Sequence, residues 1–589
     1  MNCRLASFSR FFASSHLDTL ILAMFAVAAW MATHPYQGIW HDGVLYAGQA
    51  IFRLDPALFA KDLFFAYGSQ DGFTAFTGIY ALAIRELGLP AASALLLGMA
   101  HVAWVASVAW LLRGLLSGLA FWQALILVTV LPATYGSLGV FAYGEPFLTA
   151  RIWAEPPALL AVACIVRGYR VAAIASLAFA AAMHPVIAFP AALFVFFFGF
   201  RGRQQWAIVA AGGVVLATLC ASGIPPFANL TQTMDPLWLD LSAARSPWVF
   251  LDHWSAIEYR EPLFLALLLT TAALLSVRDS RRLWWSVLGV FLVGMGLAFL
   301  AVYWPAVPLV QMQPWRVLWL VKILAIAAAI VLLQDNWSVS PFSRMLLGGL
   351  AACALTLDST GLFCAAPLFM LLVIRHRLAL EPRLPPWLSP LIWGVIVVVI
   401  GEKVFWEVLL SSPVLDFTGP LFANLSLANR VLIIAQQSDW LVFAPLLLGA
   451  WCLLHHRPRS RRWLFLLSAT FMVFFAAYWQ AGSRNQVVKD PLRETAYAEL
   501  AHLIQAQHLT YWGDGLPTLW LNLHRGSYAS PQQAAGIIFS RQTAINAGAD
   551  APAALAITLV CRAATLWFAV LLGAISWLAL ECGSFPVHA

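Results

Sequence analysis

Apolar runs about as long as a bilayer is thick recur along this chain, and they constrain its fold more than any other feature. Of the 589 residues, 62% are hydrophobic and 10% are charged, whereas soluble domains carry about 25% charged residues. Reading the runs against the basic residues between them predicts about fifteen spans. The predicted spans are 17–34, 91–112, 119–136, 153–166, 171–184, 185–200, 206–223, 262–277, 283–303, 317–333, 345–358, 362–374, 388–405, 440–454 and 463–480. The chain is therefore expected to be a polytopic α-helical membrane protein.

The distribution of basic residues predicts how these spans are oriented. Arg4 and Arg10 precede the first apolar run, which lacks a clear A-x-A cleavage site, so we interpret it as an uncleaved span with a cytoplasmic N-terminus. The loops on that side are then basic, as the positive-inside rule requires. The net charge of +7 follows from this topology and gives no reason to expect a nucleic-acid partner. We expect an integral protein of a bacterial inner (cytoplasmic) membrane, in direct contact with the lipid bilayer.

The same assignment divides the chain into a multi-span domain, 1–480, and a C-terminal domain, 481–589, outside the cytoplasm. The outer loops of the first domain are 35–90, 137–152, 224–261, 304–316 and 406–439. In the second domain, LRETAYAELAHLIQAQ and QQAAGIIFSRQTAINA have helical patterns, whereas LTYW and TLWLNL are typical of short strands. This predicts an extracytoplasmic α/β cap. Residues 553–580 are apolar enough for an extra span, although Arg562 and the many β-formers favour a place in the cap.

The first outer loop concentrates acidic residues in a chain that has few of them. Asp42 lies among aromatic residues near the end of the first span, where a partly dehydrated carboxylate can act as a general base on a hydroxyl. Asp is also a preferred N-cap, so Asp42 equally fits the start of the helix GVLYAGQAIF; the two roles are compatible. His41 is a neighbouring candidate for substrate binding, and Asp71 is a second, weaker one. Asp55 and Asp62 are expected to cap or solvate the helices of the loop.

The second outer loop, YGSLGVFAYGEPFLTARIWAE, carries Glu145, Arg151 and Glu155. The two Glu-Pro pairs are typical of entry into a helix, with each proline in a first turn. That explanation leaves Arg151 unexplained, so we predict that Glu145 and Arg151 face a polar site. Glu145, Arg151 and Glu155 are all candidates for substrate binding. His184 precedes a proline at the outer turn of a short hairpin, where a lone histidine is more often structural than functional. It is kept as a further candidate for substrate binding.

A later outer span end, QMQPWR, supplies Gln311, Gln313 and Arg316. An arginine at the membrane boundary commonly extends its charge toward the headgroups. It is equally suited to bind a phosphate, because its charge is permanent and its donors form a planar fork. The two glutamines offer neutral hydrogen bonds to hydroxyls. We therefore include all three residues among the candidates for substrate binding.

Together these features resemble the GT-C superfamily of integral-membrane glycosyltransferases: many spans, HDGVLY in the first outer loop, YGEPFLTARIWAE in the second, QMQPWR at a later span end, and an outer C-terminal cap. The resemblance implies a lipid-linked sugar donor, commonly a polyprenyl phosphate sugar, and a glycan or lipid acceptor with a free hydroxyl. It implies an inverting transfer with Asp42 as the general base and Glu145 as the second acid. It also implies that Arg151 or Arg316 holds the leaving phosphate.

The sequence departs from this pattern at one point. Many members carry paired acids in the first loop, whereas here His41 precedes Asp42 and Gly43 follows it. A two-carboxylate site for a divalent cation such as Mg²⁺ is therefore doubtful, and the metal ligands stay unassigned.

Other classes of function remain open on the sequence alone. A transporter or flippase of a lipid-linked or small polar substrate predicts inverted repeats and charges near the membrane midplane, whereas here the charges crowd toward one surface and no repeat is seen. An O-antigen-type polymerase or ligase would usually place its polar residues in one large outer loop between late spans. A non-enzymatic assembly subunit would keep the scaffold and tolerate loss of the Asp42 carboxylate.

Overall fold

The structure is a computed structural model that describes residues 16–67, 70–223, 231–276, 278–357, 361–382, 385–415, 497, 499–504, 508–512, 515–528 and 530–547. The predicted spans 440–454 and 463–480 and the ambiguous run 553–580 lie outside the described residues.

Most of the described residues are helical, because long apolar runs without charge can satisfy their backbone polar groups only within a helix or a closed barrel. The helices are α1 (His16–Thr33), α2 (Asp42–Leu54), α3 (Leu63–Ala66), α4 (Phe76–Leu87), α5 (Leu89–Leu115), α6 (Gly118–Val130), α7 (Ala150–Val166), α8 (Arg170–Met183), α9 (Pro185–Gly199), α10 (Arg203–Ala221), α11 (Pro236–Arg245), α12 (Arg260–Leu275), α13 (Arg278–Tyr303), α14 (Val307–Met312), α15 (Leu318–Trp337), α16 (Pro341–Leu355), α17 (Gly361–Leu378) and α18 (Leu388–Leu415). Each span predicted before residue 406 overlaps one of these helices.

Six helices of the described part are long and apolar enough to cross a membrane. They are Leu89–Leu115, Arg203–Ala221, Ser280–Tyr303, Val307–Trp337, Gly361–Leu378 and Leu388–Trp406. Several other predicted spans are apolar helices of 10–17 residues, among them the pair α8 and α9. A straight helix of that length covers less than the hydrocarbon core, so its role as a span stays a prediction.

The chain divides into two compact units. The first takes its described residues from Met1–Tyr46, Phe73–Met234 and Pro247–Asn485, and the second takes them from Ala47–Gly72, Asp235–Ser246 and Gln486–Ala589. The second unit therefore combines the middle part of the first outer loop and helix α11 with described residues of the C-terminal segment.

Helix α7 lies at the centre of the first unit, packed against α5, α8 and α9. It begins at Ala150, so Pro156 and Pro157 lie inside it, and the prediction that Pro156 occupies the first turn of a helix is wrong. Each proline lacks the backbone N–H that would donate a hydrogen bond to the preceding turn of the helix. The helix instead begins at Ala150, directly after Thr149, whose backbone is extended.

A short β-hairpin follows α6 in the first unit. Strand β1 (Thr134–Tyr135) pairs antiparallel with β2 (Phe141–Ala142), and Tyr135 lies opposite Phe141. The backbone N–H of Leu138, in the connection, donates to Glu258 Oε1 over 2.7 Å. Lys322 of α15 donates to the Thr134 carbonyl and pairs with Glu261, each over 2.6 Å. These contacts fix the hairpin and hence the position of the Phe141 ring.

In the second unit, the sequence-based assignment of strands is corrected. TLWLNL was predicted as a strand from its β-formers, but Thr518–Asn522 forms a single π-helical turn. Here Trp520 is fully buried against Phe64 and Phe65, and this packing overrides the local preference. LTYW was also predicted as a strand. Within it, Thr510 forms only an isolated parallel β-bridge with Ser527. The helical prediction for 532–547 fits in part, as a 3₁₀ turn at Gln533–Gly536 and a helix at 541–547.

Candidate active site

Two outer loops of the first unit meet at one arginine. The guanidinium of Arg151, in the first turn of α7, donates from Nη2 to Asp42 Oδ2 over 2.9 Å and from Nε to Glu145 Oε1 over 2.8 Å. Thr149 donates to the other oxygen of Glu145 over 2.5 Å. The side chains of Arg151 and Glu145 are 6% and 3% exposed, whereas that of Asp42 is 26% exposed. One buried cation thus joins two carboxylates, of which only Asp42 reaches the surface.

Asp42 is the first residue of α2, so it lies at a helix start. The same residue also contacts Arg151. Burial alone would raise its pKa, but the Arg151 guanidinium, together with His41 and Arg316, outweighs burial and lowers the pKa of the Asp42 carboxyl below its usual value. The carboxylate is therefore ionised at neutral pH. On its other side, Oδ1 lies 3.3 Å from Nδ1 of His41.

A second buried arginine shares an aromatic ring with the first. The guanidinium carbon of Arg316 lies 3.8 Å from the centroid of the Phe141 ring, and that of Arg151 lies 5.3 Å from it. Gln313, whose backbone is left-handed with φ 45°, accepts from Arg316 Nε over 2.9 Å. Nη1 of Arg316 is buried and has no hydrogen-bond partner among the described residues. An unsatisfied guanidinium beside a charged cluster is suited to bind an anion.

Tyr46 and His184 lie within electrostatic reach of the two arginines. Burial, first of all, raises the pKa of Tyr46 to about 12, so its hydroxyl stays neutral. His184 caps α9, with Nδ1 accepting from the Ile187 N–H over 3.3 Å. The expected structural role of His184 is therefore present, at a position that also faces the arginines.

Two aromatic side chains, His101 and Trp30, form a chain of hydrogen bonds that ends at the backbone of Glu145. His101 on α5 contacts the Glu145 carbonyl through Nε2 over 3.1 Å, and its Nδ1 accepts from the Trp30 indole N–H over 2.7 Å. Because a carbonyl only accepts and an indole N–H only donates, His101 must be neutral and carry its proton on Nε2. Nε2 thus holds the backbone of the second loop at Glu145, and Nδ1 ties the ring to Trp30 of α1.

Glu155 holds the same loop from α7. Its Oε2 accepts from the backbone N–H of Gly144 over 2.9 Å and from Trp104 Nε1 over 2.7 Å, and its Oε1 is buried without a hydrogen-bond partner among the described residues. Gly144 has φ +65°, which only glycine adopts at low cost. Substrate binding by Glu155 stays a prediction. Its hydrogen bond from the Gly144 N–H positions Gly144, the residue that precedes Glu145.

Replacing Gly144 by alanine should destabilise the protein by about 2 kcal/mol more than replacing Gly139. An added Cβ at Gly144 would overlap Cη2 of Trp30 and lie 2.6 Å from Cζ2, whereas one at Gly139 would meet no described atom within 4 Å. Both glycines have positive φ, so Gly139→Ala controls for the backbone cost. The measurement is the thermal unfolding midpoint of the detergent-solubilised protein. Equal shifts for the two variants would contradict the packing argument.

The remaining candidates belong to other elements of the chain. Gln311 is half-buried on α14. Asp71 pairs with Arg53 over 3.2 Å in the second unit. Asp55 and Asp62 cap the 3₁₀ helix Pro56–Phe59 and helix α3, as expected. For all the predicted site residues, binding of a substrate stays a prediction.

The residues present do not fit a divalent cation between the two loops. The facing oxygens of Asp42 and Glu145 accept from Arg151, and the second oxygen of Glu145 accepts from Thr149. A cation there would have to displace a guanidinium that is already bound to both carboxylates. In the described part of the chain, no group of three His, Cys, Asp or Glu side chains is placed to hold a metal ion.

Three contributors escaped the sequence analysis: Phe141, Thr149 and His101. Phe141 and Thr149 lie in a loop without periodicity, and His101 lies within a long apolar run. For His101 the sequence did offer a signal, because a polar residue within a predicted membrane span usually has a partner.

No protein-family model and no curated protein matches the sequence. Solved structures of the Archaeoglobus fulgidus oligosaccharyltransferase do match. The apo form and the form tethered to an acceptor peptide containing the NVT sequon each have 14% identity and a TM-score of 0.29, and the match covers 88% of this chain. The same organism's oligosaccharyltransferase AglB, in complex with an inhibitory peptide and a dolichol-phosphate, has 12% identity and a TM-score of 0.26.

The matched protein is named in each case as an oligosaccharyltransferase. This chain spans 64–65% of its length, slightly less than two thirds. TM-scores of this size are too low to establish a shared fold.

Proposed function

We propose that this protein is a membrane glycosyltransferase that moves a sugar from a polyprenyl phosphate donor to an acceptor hydroxyl at the extracytoplasmic face. The observation that supports this most strongly is the joining of Asp42, Glu145 and Arg151 from two loops. A carboxylate that is ionised at neutral pH and reaches the surface, with a buried cation behind it, provides the two functions that such a transfer needs.

Each group has a distinct role in this proposal. Asp42 supplies the general base for the acceptor hydroxyl, and attack on the anomeric carbon from the opposite face inverts its configuration. Arg316, whose Nη1 has no hydrogen-bond partner among the described residues, binds the phosphate that leaves with the polyprenol. Arg151 orients Asp42 and adds positive charge near the leaving group. Glu145 holds Arg151 in place rather than acting on the substrate directly.

The membrane setting suits this chemistry. A polyprenyl chain is soluble only in the bilayer, so its phosphate lies at the interface, where a site at the ends of apolar helices can reach it. The six long apolar helices provide such a scaffold. In this proposal the N-terminus is cytoplasmic and the site faces the opposite side.

The test is transfer of a radiolabelled hexose or pentose from undecaprenyl phosphate in membranes that contain the protein. We expect Asp42→Asn to lower the rate of label transfer and of undecaprenyl phosphate release by about a hundredfold or more, because the amide cannot accept a proton. Asp252→Asn is the matched control, since Asp252 is an exposed aspartate of the same unit that pairs with His253 at 3.9 Å.

Normal insertion of Asp42→Asn is checked by its yield and its thermal unfolding midpoint. Wild-type transfer by a well-inserted Asp42→Asn protein would overturn the proposal. A loss of transfer in the Asp252→Asn control as well would show that the effect is not specific to this site.

A further inference from the structure

His41 has an unusual backbone for a residue at the mouth of the site. Its φ is +50°, in the left-handed region that non-glycine residues rarely adopt. The side chain is 45% exposed, and its ring packs against Phe147, with 5.4 Å between the ring centroids. This conformation brings Nδ1 to 3.3 Å from Oδ1 of Asp42. A strained residue held beside a functional carboxylate calls for an explanation in function.

Asp42 alone is a poor final acceptor for a hydroxyl proton. One of its oxygens accepts from a permanently charged guanidinium, and the charge of Arg151 weakens the basicity of the whole carboxylate. A carboxylate that receives hydrogen bonds from charged donors is well suited to orient and stabilise a neighbouring imidazole. An imidazole, in contrast, is the side chain that most often serves as a general base in proteins.

We infer that Asp42 acts as a base through His41: Nε2 of His41 takes the acceptor's hydroxyl proton while the Asp42 carboxylate accepts a hydrogen bond from Nδ1–H. The inference rests on the proposed function and assigns the proton within it. The acceptor oxygen forms its bond to the anomeric carbon as the bond from that carbon to the phosphate oxygen breaks. The electron pair leaves with polyprenyl phosphate, and the proton stays on the imidazole until the solvent removes it.

The surroundings of His41 permit this role. In the described part of the chain, the charged side chain that faces the imidazole is Asp42, from α2. Phe147, from the loop before α7, is uncharged. Arg151 of α7 and Arg316 of the turn before α15 act on Asp42. The formation of an imidazolium therefore places a positive charge directly against a carboxylate, which stabilises it.

The test uses two substitutions that suit the left-handed backbone. His41→Asn keeps a short polar side chain that tolerates positive φ, and His41→Gly removes the side chain at no conformational cost. We expect both to lower kcat for sugar transfer from undecaprenyl phosphate at least tenfold at neutral pH.

Added imidazole should restore transfer to His41→Gly and leave His41→Asn unaffected, because only the glycine variant leaves space for the ring. A merely structural role for His41 would not produce this difference. His253→Asn is the matched control: His253 is also 45% exposed and lies 3.9 Å from Asp252. It should keep wild-type transfer, with or without added imidazole.

Wild-type kcat in His41→Asn would overturn the inference, as would a failure of added imidazole to restore transfer to His41→Gly. If Asp42→Asn is inactive in the same assay while His41→Asn is active, the proposed function stands and the role of His41 falls. If Asp42→Asn is active, both fall.

Discussion

Replacing Arg151 by glutamine is expected to reduce sugar transfer by about a thousandfold and to destabilise the first unit by about 3–5 kcal/mol. The guanidinium is buried, and it is the shared partner of Asp42 and Glu145. Its removal leaves a buried carboxylate at Glu145 without its cation, and this accounts for the loss of stability. Its removal also frees Asp42 from its orienting contact and takes positive charge from the site.

The double variant Arg151→Gln with Glu145→Gln separates these two effects. Removing both charges leaves no uncompensated buried carboxylate at 145, so most of the lost stability should return. Transfer should stay low, because the cation is still missing. The measurements are the thermal unfolding midpoint in detergent and the rate of label transfer in membranes.

Arg151→Lys is the conservative comparison. A lysine has one compact ammonium and lacks the planar fork that reaches two carboxylates at 2.8 and 2.9 Å. We expect it to keep more stability than glutamine but to stay well below wild-type transfer. Full activity in Arg151→Lys would show that charge alone, without the bridge between Asp42 and Glu145, is enough.

The positions of the helices could be predicted because they follow from the lengths of the apolar runs. The predicted span 17–34 corresponds to His16–Thr33, and 317–333 corresponds to Leu318–Trp337. The charged residues of the site could be singled out because a chain with 10% charged residues rarely places acids and arginines near its span ends without a partner.

The contacts of those residues could not be predicted, because they depend on tertiary packing. Asp42 and Arg151 are separated by 109 positions, and nothing in the local pattern pairs them. The contact of the Phe141 ring with two arginines could not be predicted from the sequence either, since a phenylalanine in an apolar loop has many possible neighbours. TLWLNL was misassigned for the same reason, because local preference is a weak guide when one tryptophan is buried by distant residues.

Asp62 shows how far such contacts reach. It was expected only to cap a helix, and it does accept from the Phe64 N–H over 2.9 Å. It also accepts from Trp520, Ser527 and Gln533, which lie 458, 465 and 471 positions away. The carboxylate is fully buried, and it joins the first outer loop to the C-terminal segment within the second unit.

Asp62→Asn is therefore expected to destabilise the second unit by about 3 kcal/mol, although the two side chains have nearly the same shape. Oδ1 accepts from Phe64 N and Gln533 Nε2, and Oδ2 accepts from Trp520 Nε1 and Ser527 N. Asparagine has a single acceptor oxygen, so its NH₂ group must face two N–H donors that then lose their partner. Two buried donors without an acceptor account for a loss of this size.

Asp55→Asn is the matched control for this prediction. Asp55 caps the neighbouring 3₁₀ helix through one hydrogen bond, from Ala57 N over 3.1 Å, and it is exposed. Because asparagine caps a helix about as well as aspartate, Asp55→Asn should change stability by less than about 0.5 kcal/mol. The thermal unfolding midpoints of the two variants provide the comparison. A midpoint for Asp62→Asn as high as that for Asp55→Asn would mean that Asp62 serves only as a cap and that its contacts with 520–533 add nothing to stability.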